Sequence, residues 1–364
     1  MKKFKKINVG IIGLGRISLH HINNIIREKK ISLISICDID DYKLKKFSKK
    51  FKVPGYHSYR EMMEKHNNLN LIIIATPSGM HYEHSTEILK KYKKNLIIEK
   101  PLALKIQQTK KLFEYAKKNK VKIFPVFQNR YNKAVQRVKK SIVSKELGSV
   151  RVVNVRLRWC RPQKYYNLSP WRGTFSHDGG ALTNQGIHFI DLLRYLFGEV
   201  EFVNCQMKTL GSKIEVEDTI VATFGFKKGG VGTLEITTAA RPDDYEASLS
   251  IIGSKGLAQI GGLAVNNLEI FTPKPQDKLR FSENIPNAYG FGHKHLYRSI
   301  KDYFFKNKNF IISNQDCTNT IKLLHCFYNS ASQNKRVYFN RVNDFKKLGQ
   351  RNEKISKLYR LNEN

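Results

Sequence analysis

The sequence predicts a two-domain α/β protein. A doubly wound parallel sheet is expected over residues 1–127, then an α+β domain with a large, mostly antiparallel open sheet over 128–340, and a polar tail over 341–364. Three observations lead there. Apolar, β-branched runs alternate with helical patterns through the first third, the signature of βαβ units. In the second half, strand-like runs follow one another without intervening helices, which implies antiparallel pairing. At 364 residues the chain is too long for one ordinary compact domain and comfortable for two that bury their own cores.

In the first domain the strands are read at Ile7–Ile12, Ile31–Cys37, Leu69–Ala75, Asn95–Ile98 and Val121–Phe127. Between them Asp40–Phe51, Tyr82–Tyr92 and Ile106–Lys118 carry apolar residues at helical spacing with lysines opposite, as crossover helices do. A helix near Ala134–Val143 follows, then a long strand Val150–Trp159, a loop rich in Arg, Tyr and Trp, and a helix from Gly180 to Leu196. Strands at Phe202–Leu210, Thr219–Phe226, Gly230–Thr238 and Glu246–Ile252 are joined through Gly-containing turns. Two late helices, Lys294–Phe305 and Gln315–Ser332, are expected to pack back on one of the domains, and Arg341–Asn364 reads as a loosely held tail.

Composition narrows the function classes. The hydrophobic fraction of 41% and aromatic fraction of 11% belong to a globular protein rather than a disordered one. The five cysteines are widely spaced and form no C-x-x-C pair, which fits a reduced, cytoplasmic protein. The lysines before the apolar start resemble a signal peptide, but Gly10, Gly13 and Gly15 interrupt that stretch, which reads instead as a first strand. No apolar run approaches the roughly 20 residues a membrane span needs. A net charge of +35 invites a nucleic-acid reading. Lysine greatly outnumbers arginine, however, and sits in pairs such as Lys45-Lys46 and Lys110-Lys111 on outer helix faces, so no nucleic-acid partner is expected. The positive field would still help capture an anionic metabolite.

Gly13-Leu14-Gly15-Arg16-Ile17-Ser18 follows the first strand and opens a helix, so backbone N–H groups there can hold a pyrophosphate. The second strand ends in Cys37-Asp38, at the spacing where an acid binds the adenosine ribose and would repel a 2′-phosphate. Together they indicate NAD. The alternative is that Asp38 merely begins the helix at Asp40.

Gly13–Ser18, then Ala75-Thr76-Pro77-Ser78 with His81, then Glu99-Lys100-Pro101, then Gly179-Gly180 with His188 and Asp191 resemble the motif series of the glucose–fructose oxidoreductase, inositol dehydrogenase and rhizopine-catabolism (Gfo/Idh/MocA) family. The resemblance covers nearly the whole chain. It implies that Gly13, Gly15, Arg16, Ile17 and Asp38 bind NAD, that Glu99 meets the nicotinamide ribose, and that Thr76, Pro77, Ser78, His81, Gln128, Trp171 and Arg172 line the cofactor. Oxidising a secondary alcohol requires a group to accept the hydroxyl proton and a group to stabilise negative charge on oxygen. Lys100 and His188 are the implied candidates, and either could take the proton. Asn184, four residues before His188 on the predicted helix, stands where many relatives have Asp; a neutral amide can position a hydroxyl but cannot share its proton. His81 and His84 are also spaced like metal ligands, but no third ligand accompanies them, and hydride transfer to NAD needs no metal.

Arg158, Arg161, Tyr165 and Tyr166 lie in a cationic, aromatic stretch that suits a carboxylate or phosphate and a sugar face. With Phe127–Asn132 and Ala181–His188 it most resembles the family branch that oxidises UDP-N-acetylglucosaminuronic acid at C3, giving the 3-keto sugar for surface polysaccharide synthesis. That resemblance further implies NADH recycling by 2-oxoglutarate and a homodimer or homotetramer. A cyclitol or free-sugar dehydrogenase would use the same motifs. A non-catalytic NAD-binding sensor or nucleic-acid binder would exploit the charge, but no helix-turn-helix or aromatic RNA-binding motif is found.

Overall fold

The computed structural model describes residues 5–285, 287 and 289–360. The chain divides into two compact units, one of Met1–Val126, His293–Cys317 and Gly349–Asn364, the other of Phe127–Gly292 and Thr318–Leu348.

In the first unit six strands form a wholly parallel sheet: β1 (Ile7–Ile12), β2 (Ile31–Cys37), β3 (Gly55–Tyr56), β4 (Leu71–Ile74), β5 (Asn95–Ile98) and β6 (Ile123–Pro125), in the order β3-β2-β1-β4-β5-β6. Every residue of β4 is buried, which is why it reads as an unbroken apolar run rather than an alternating one. Strand order reverses between β1 and β4, and in such sheets ligands bind outside the carboxyl ends at that point. β3, only two residues long, left no sequence signal. The helix after it, Tyr59–Lys65, is marked by Ser58, whose side chain accepts the Glu61 N–H.

The second unit holds β7 (Val150–Arg158), β8 (Val200–Lys208), β9 (Thr219–Phe226), β10 (Val231–Thr237), β11 (Glu246–Gly253), β12 (Leu257–Gly261), β13 (Asn267–Phe271) and β14 (Val337–Tyr338). Their order is β13-β12-β11-β7-β10-β9-β8-β14, and β7 with β10 is the one parallel pair. Val153, Val155 and Leu157 of β7 are buried, so Arg156 and Arg158 share the opposite face.

Three expectations are corrected. The second domain is not the continuous stretch 128–340, because residues 293–317 belong to the first unit. There the Phe124 ring meets those of Tyr303, Phe304 and Phe310 at 5.3, 5.5 and 5.1 Å, with Tyr297 and Ile300 fully buried. The segment after 340 is not a loose tail: Leu348 is fully buried, Glu353–Lys357 is helical, and Arg360 forks onto Glu83 at 2.5 and 2.6 Å. The last four residues lie outside those described. Finally, the helix expected from Gly180 to Leu196 is two, Gly180–Asn184 and Ile187–Phe197. At the break the Gly186 N–H reaches back to Ala181 O, and a Cβ on Gly186 would lie 2.6 Å from Ile236 Cδ1, so the backbone itself packs on β10.

All five cysteines are free thiols, and among the described residues no helix is long and apolar enough to cross a membrane. Phe124→Ala should cost about 3–5 kcal/mol in chemical denaturation. A cost below about 1 kcal/mol would show that the 293–317 segment does not share this core.

Candidate active site

The glycine turn forms first. Gly13 has φ +96°, its N–H donates to Cys37 O at 2.8 Å, and a Cβ there would lie 2.5 Å from Ala75 O. Only glycine fits between β1 and the end of β4. Gly15, in contrast, faces open space to 4 Å, and Arg16 is exposed and Ile17 half-buried beside it. Ser18 fills the usual third-glycine position, fully buried, with Oγ donating to Gly15 O at 2.6 Å. Asp38 ends β2 and accepts the Leu14 N–H at 2.5 Å and the Asp40 N–H at 2.9 Å. It is not the cap of the next helix, a role taken by Asp40 through the Lys43 N–H. A carboxylate joined to the glycine turn, beside an open backbone at Gly15, is the donor and acceptor set that an adenosine ribose and pyrophosphate require.

Thr76, Pro77 and Ser78 follow β4, and Glu99, Lys100 and Pro101 follow β5. His81 joins these two loops: its buried ring places Nε2 2.9 Å from Thr76 O and Nδ1 2.8 Å from Pro101 O. Burial lowers its pKa. Carbonyls only accept and a neutral ring carries one N–H, so His81 donates to one of the two and sits between the loops. His84 is likewise committed, to Thr76 Oγ1 at 3.2 Å, and burial takes its pKa down to about 4. The two do not form the metal pair their spacing allows. Among the described residues, the one group of His, Cys, Asp or Glu close enough to share an ion is His21, Glu99 and His293, whose ligand atoms lie within 4.8 Å of one another. Glu99 is buried, with His21 Nε2 2.8 Å from Oε1 and the Lys100 N–H donating to Oε2 at 3.1 Å. Lys100 itself is half-buried.

In the second unit Gln128 and His188 are brought together, Gln128 Nε2 lying 3.5 Å from His188 Nε2. The amide can donate to that nitrogen or, turned over, accept from it, according to the His188 tautomer. His188 stands in the first turn of the Ile187–Phe197 helix. One turn on, Asp191 makes a two-pronged pair with Arg130, at 2.7 Å for each bond, both side chains 1% exposed. This pair fixes His188 against the turn bearing Gln128. Asn184 donates from Nδ2 to Asp178 Oδ1 at 2.5 Å, which orients the amide, since a carboxylate can only accept. Below it, Glu217 takes the Leu182 N–H at 3.0 Å and the Tyr328 hydroxyl at 2.8 Å, and burial raises its pKa to about 8. A Cβ on Gly180 would strike that carboxyl, so Gly180 is required by the packing. Asp178, Glu217 and Tyr328 were not found from sequence. Asp178, just before the double glycine, carried a signal; Tyr328, nearly 150 positions away, carried none.

In the cationic stretch several side chains have partners within the chain. Arg158, expected at a substrate anion, forks onto Glu235 at 2.6 and 2.7 Å and reaches Glu246 at 3.1 Å. Arg161 pairs with Asp244 at 2.8 Å. Tyr166 is buried, its hydroxyl 3.0 Å from Thr238 Oγ1 and its pKa raised by burial to about 12. All three are held by partners within the chain. Arg172 differs: it donates to the Tyr165 hydroxyl at 2.6 Å, lies 4.4 and 4.7 Å from the Tyr165 and Trp171 ring centres, and has no carboxylate partner among the described residues.

A six-stranded parallel sheet with this glycine turn, acid and Glu-Lys-Pro loop defines an NAD-dependent oxidoreductase. Residues 7–127 match the oxidoreductase family NAD-binding Rossmann fold, and residues 135–259 match the GFO/IDH/MocA C-terminal domain. The chain belongs to the Gfo/Idh/MocA family of dehydrogenases. It is 31% identical to the WlbA dehydrogenase from Bordetella pertussis, whose structure holds NADH and UDP-GlcNAcA; the similarity covers 93% of this chain and 99% of that one, with a TM-score of 0.85. It is also similar to glucose-6-phosphate 3-dehydrogenase of Bacillus subtilis (28% identity, 68% of this chain, 72% of the relative). Myo-inositol 2-dehydrogenase of Thermotoga maritima is 27% identical, over 69% of this chain and 74% of the relative. The activity is therefore of the sugar or cyclitol type.

Asp191→Ala should destabilise the protein by about 3–5 kcal/mol, read by chemical denaturation, because Arg130 is left charged and buried. A loss under about 1 kcal/mol would remove the pair from its fixing role. For Glu217 the folded group holds its proton up to about pH 8 while the unfolded one releases it near 4.5. Its contribution is thus complete below the unfolded value and lost as pH rises, at about 1.4 kcal/mol per pH unit across that window. Glu217→Gln should flatten the stability profile between about pH 4.5 and 8; an unchanged slope there would mean that Glu217 is ionised in the folded protein.

Proposed function

We propose that this chain oxidises the C3 hydroxyl of a UDP-linked N-acetylglucosaminuronic acid to the 3-keto sugar, as a step of surface polysaccharide synthesis. The observation that carries the reading is the 31% identity, spanning nearly the whole of both chains, to a dehydrogenase crystallised with NADH and UDP-GlcNAcA. When bound, NAD supplies the hydride acceptor. The remaining work falls to side chains. His188, beside Gln128, takes the hydroxyl proton. Lys100, on a loop braced by Glu99 and His81, stabilises the negative charge on the sugar oxygen. Asn184, oriented by Asp178, positions a neighbouring hydroxyl. Arg172 with the Tyr165 and Trp171 rings supplies a cation and flat surfaces for the anionic nucleotide sugar. The same reading includes NADH reoxidation by 2-oxoglutarate and assembly as a homodimer or homotetramer.

A second reading, a free-sugar, sugar-phosphate or cyclitol dehydrogenase, is favoured by the glucose-6-phosphate and myo-inositol relatives and by the commitment of Arg158 and Arg161 to the protein's own carboxylates. Absorbance at the NADH band separates the two, with NAD and UDP-N-acetylglucosaminuronic acid, glucose 6-phosphate or myo-inositol offered in parallel, with and without 2-oxoglutarate. NADH should form with the nucleotide sugar, and Lys100→Ala and His188→Ala should each lower that rate by about 100-fold or more. Turnover of a free sugar or cyclitol alone would replace the first reading by the second.

A further inference from the structure

Glu99 is 6% exposed, and side chains from two distant helices surround it. His21, on the Ser18–Ile26 helix, places Nε2 2.8 Å from Oε1. His293, on the Gly292–Lys306 helix, places Nε2 3.8 Å from the same oxygen. Tyr297, one turn beyond His293, sets its hydroxyl 2.8 Å from His21 Nδ1. The carboxylate's other oxygen accepts the Lys100 N–H.

The polarity of this chain follows from what each group can do. An ionised carboxylate only accepts, so His21 Nε2 carries the hydrogen. In a neutral imidazole Nδ1 is then the acceptor, and the Tyr297 O–H donates to it. Tyr297 is fully buried and its pKa is raised well above the usual value, so the hydroxyl keeps its proton. Burial alone would favour a neutral Glu99, but the hydrogen bond from His21 and the nearby His293 ring outweigh it and hold the carboxyl well below its usual pKa. The groups facing it are His20 and His21 on one helix, His293 and Tyr297 on the second, His81 beyond the β4 loop, and the adjoining Lys100.

We propose that His21, His293 and Tyr297 are positioning residues that keep Glu99 an ionised, fixed acceptor in the NAD site, so that cofactor affinity stays constant through neutral pH. The inference rests on the NAD site and not on which sugar is oxidised. A donor relay of this kind explains why a histidine lies in the first turns of the dinucleotide-binding helix, fully buried, where an apolar residue would pack at lower cost.

The test is NADH binding by full-length protein, followed by nicotinamide fluorescence from about pH 6 to 8.5, a range chosen to span histidine titration. The wild-type dissociation constant should vary less than about threefold. His21→Leu, which leaves Glu99 buried with a donor missing, should make binding weaken on the acid side by up to tenfold per pH unit, as expected when one carboxylate takes up a proton. His21→Gln, which keeps an N–H donor, should restore most of the flat profile. The double variant His21→Leu/Glu99→Gln should be flat again at lower affinity, assigning the pH dependence to Glu99. Tyr297→Phe, nearly isosteric, should show a smaller dependence of the same sign and serves if His21→Leu fails to fold. Flat profiles in both His21→Leu and Tyr297→Phe, or an equal loss at every pH that His21→Gln does not repair, would reduce the cluster to packing and overturn the proposal. So would one equivalent of a divalent metal in the purified protein by elemental analysis, because the same three donors would then be ligands.

Discussion

A carboxylate taken out of water must be surrounded by donors, and in this protein that requirement fixes the loops and helices that carry Lys100 and His188. Glu99 and Asp191 are both nearly inaccessible, and each directly precedes or closely follows a residue assigned to catalysis. Glu99 is held by His21 and in turn holds the backbone N–H of Lys100. Asp191 is held by Arg130 and Thr320, one helical turn from His188. A buried ion pair contributes little net stability over apolar packing, but breaking one is costly, so such pairs hold position well. Both acids remove conformational freedom from the backbone beside Lys100 and His188.

The same electrostatics decide what the many cations are for. The charge of +35 suggests abundant groups for an anionic ligand. Yet Arg158, Arg161, Arg130, Arg137 and Arg360 all meet carboxylates of their own chain. Arg172 is set apart by aromatic rings in place of an acid. A guanidinium between rings is oriented without being neutralised, so it can still answer an incoming anion. Counting arginines along the chain overstates the binding surface, because several of them are already matched within the fold.

Much of the fold was legible. The parallel strands of the first unit appear as fully apolar runs because helices cover both faces, and the long strands of the second appear as alternations because one face is packed and one is not. That same alternation in β7 puts Arg158 on the face opposite Val153, Val155 and Leu157. The short strands β3, β12, β13 and β14 were invisible, since two to five residues exist as strands only when a neighbour offers its edge. The break at Gly186 was hidden as well: the helical pattern runs through it, and it is the approach of β10 that forbids a Cβ there.

The sequence by itself determined the βαβ framework, the glycine turn with Asp38, and the family motifs from Thr76 to Asp191, because these depend on periodicity and on residues close together in the chain. Tertiary structure alone decided that residues 293–317 complete the first unit, that His81 sits between two backbone carbonyls, and that His21, Glu99, His293 and Tyr297 meet. Tyr297 lies 276 positions from His21, and Tyr328 lies 111 from Glu217. Burial and hydrogen bonding are set by distance in space, which a linear pattern does not encode, and they govern whether a charged or titratable side chain serves a ligand or the protein that holds it.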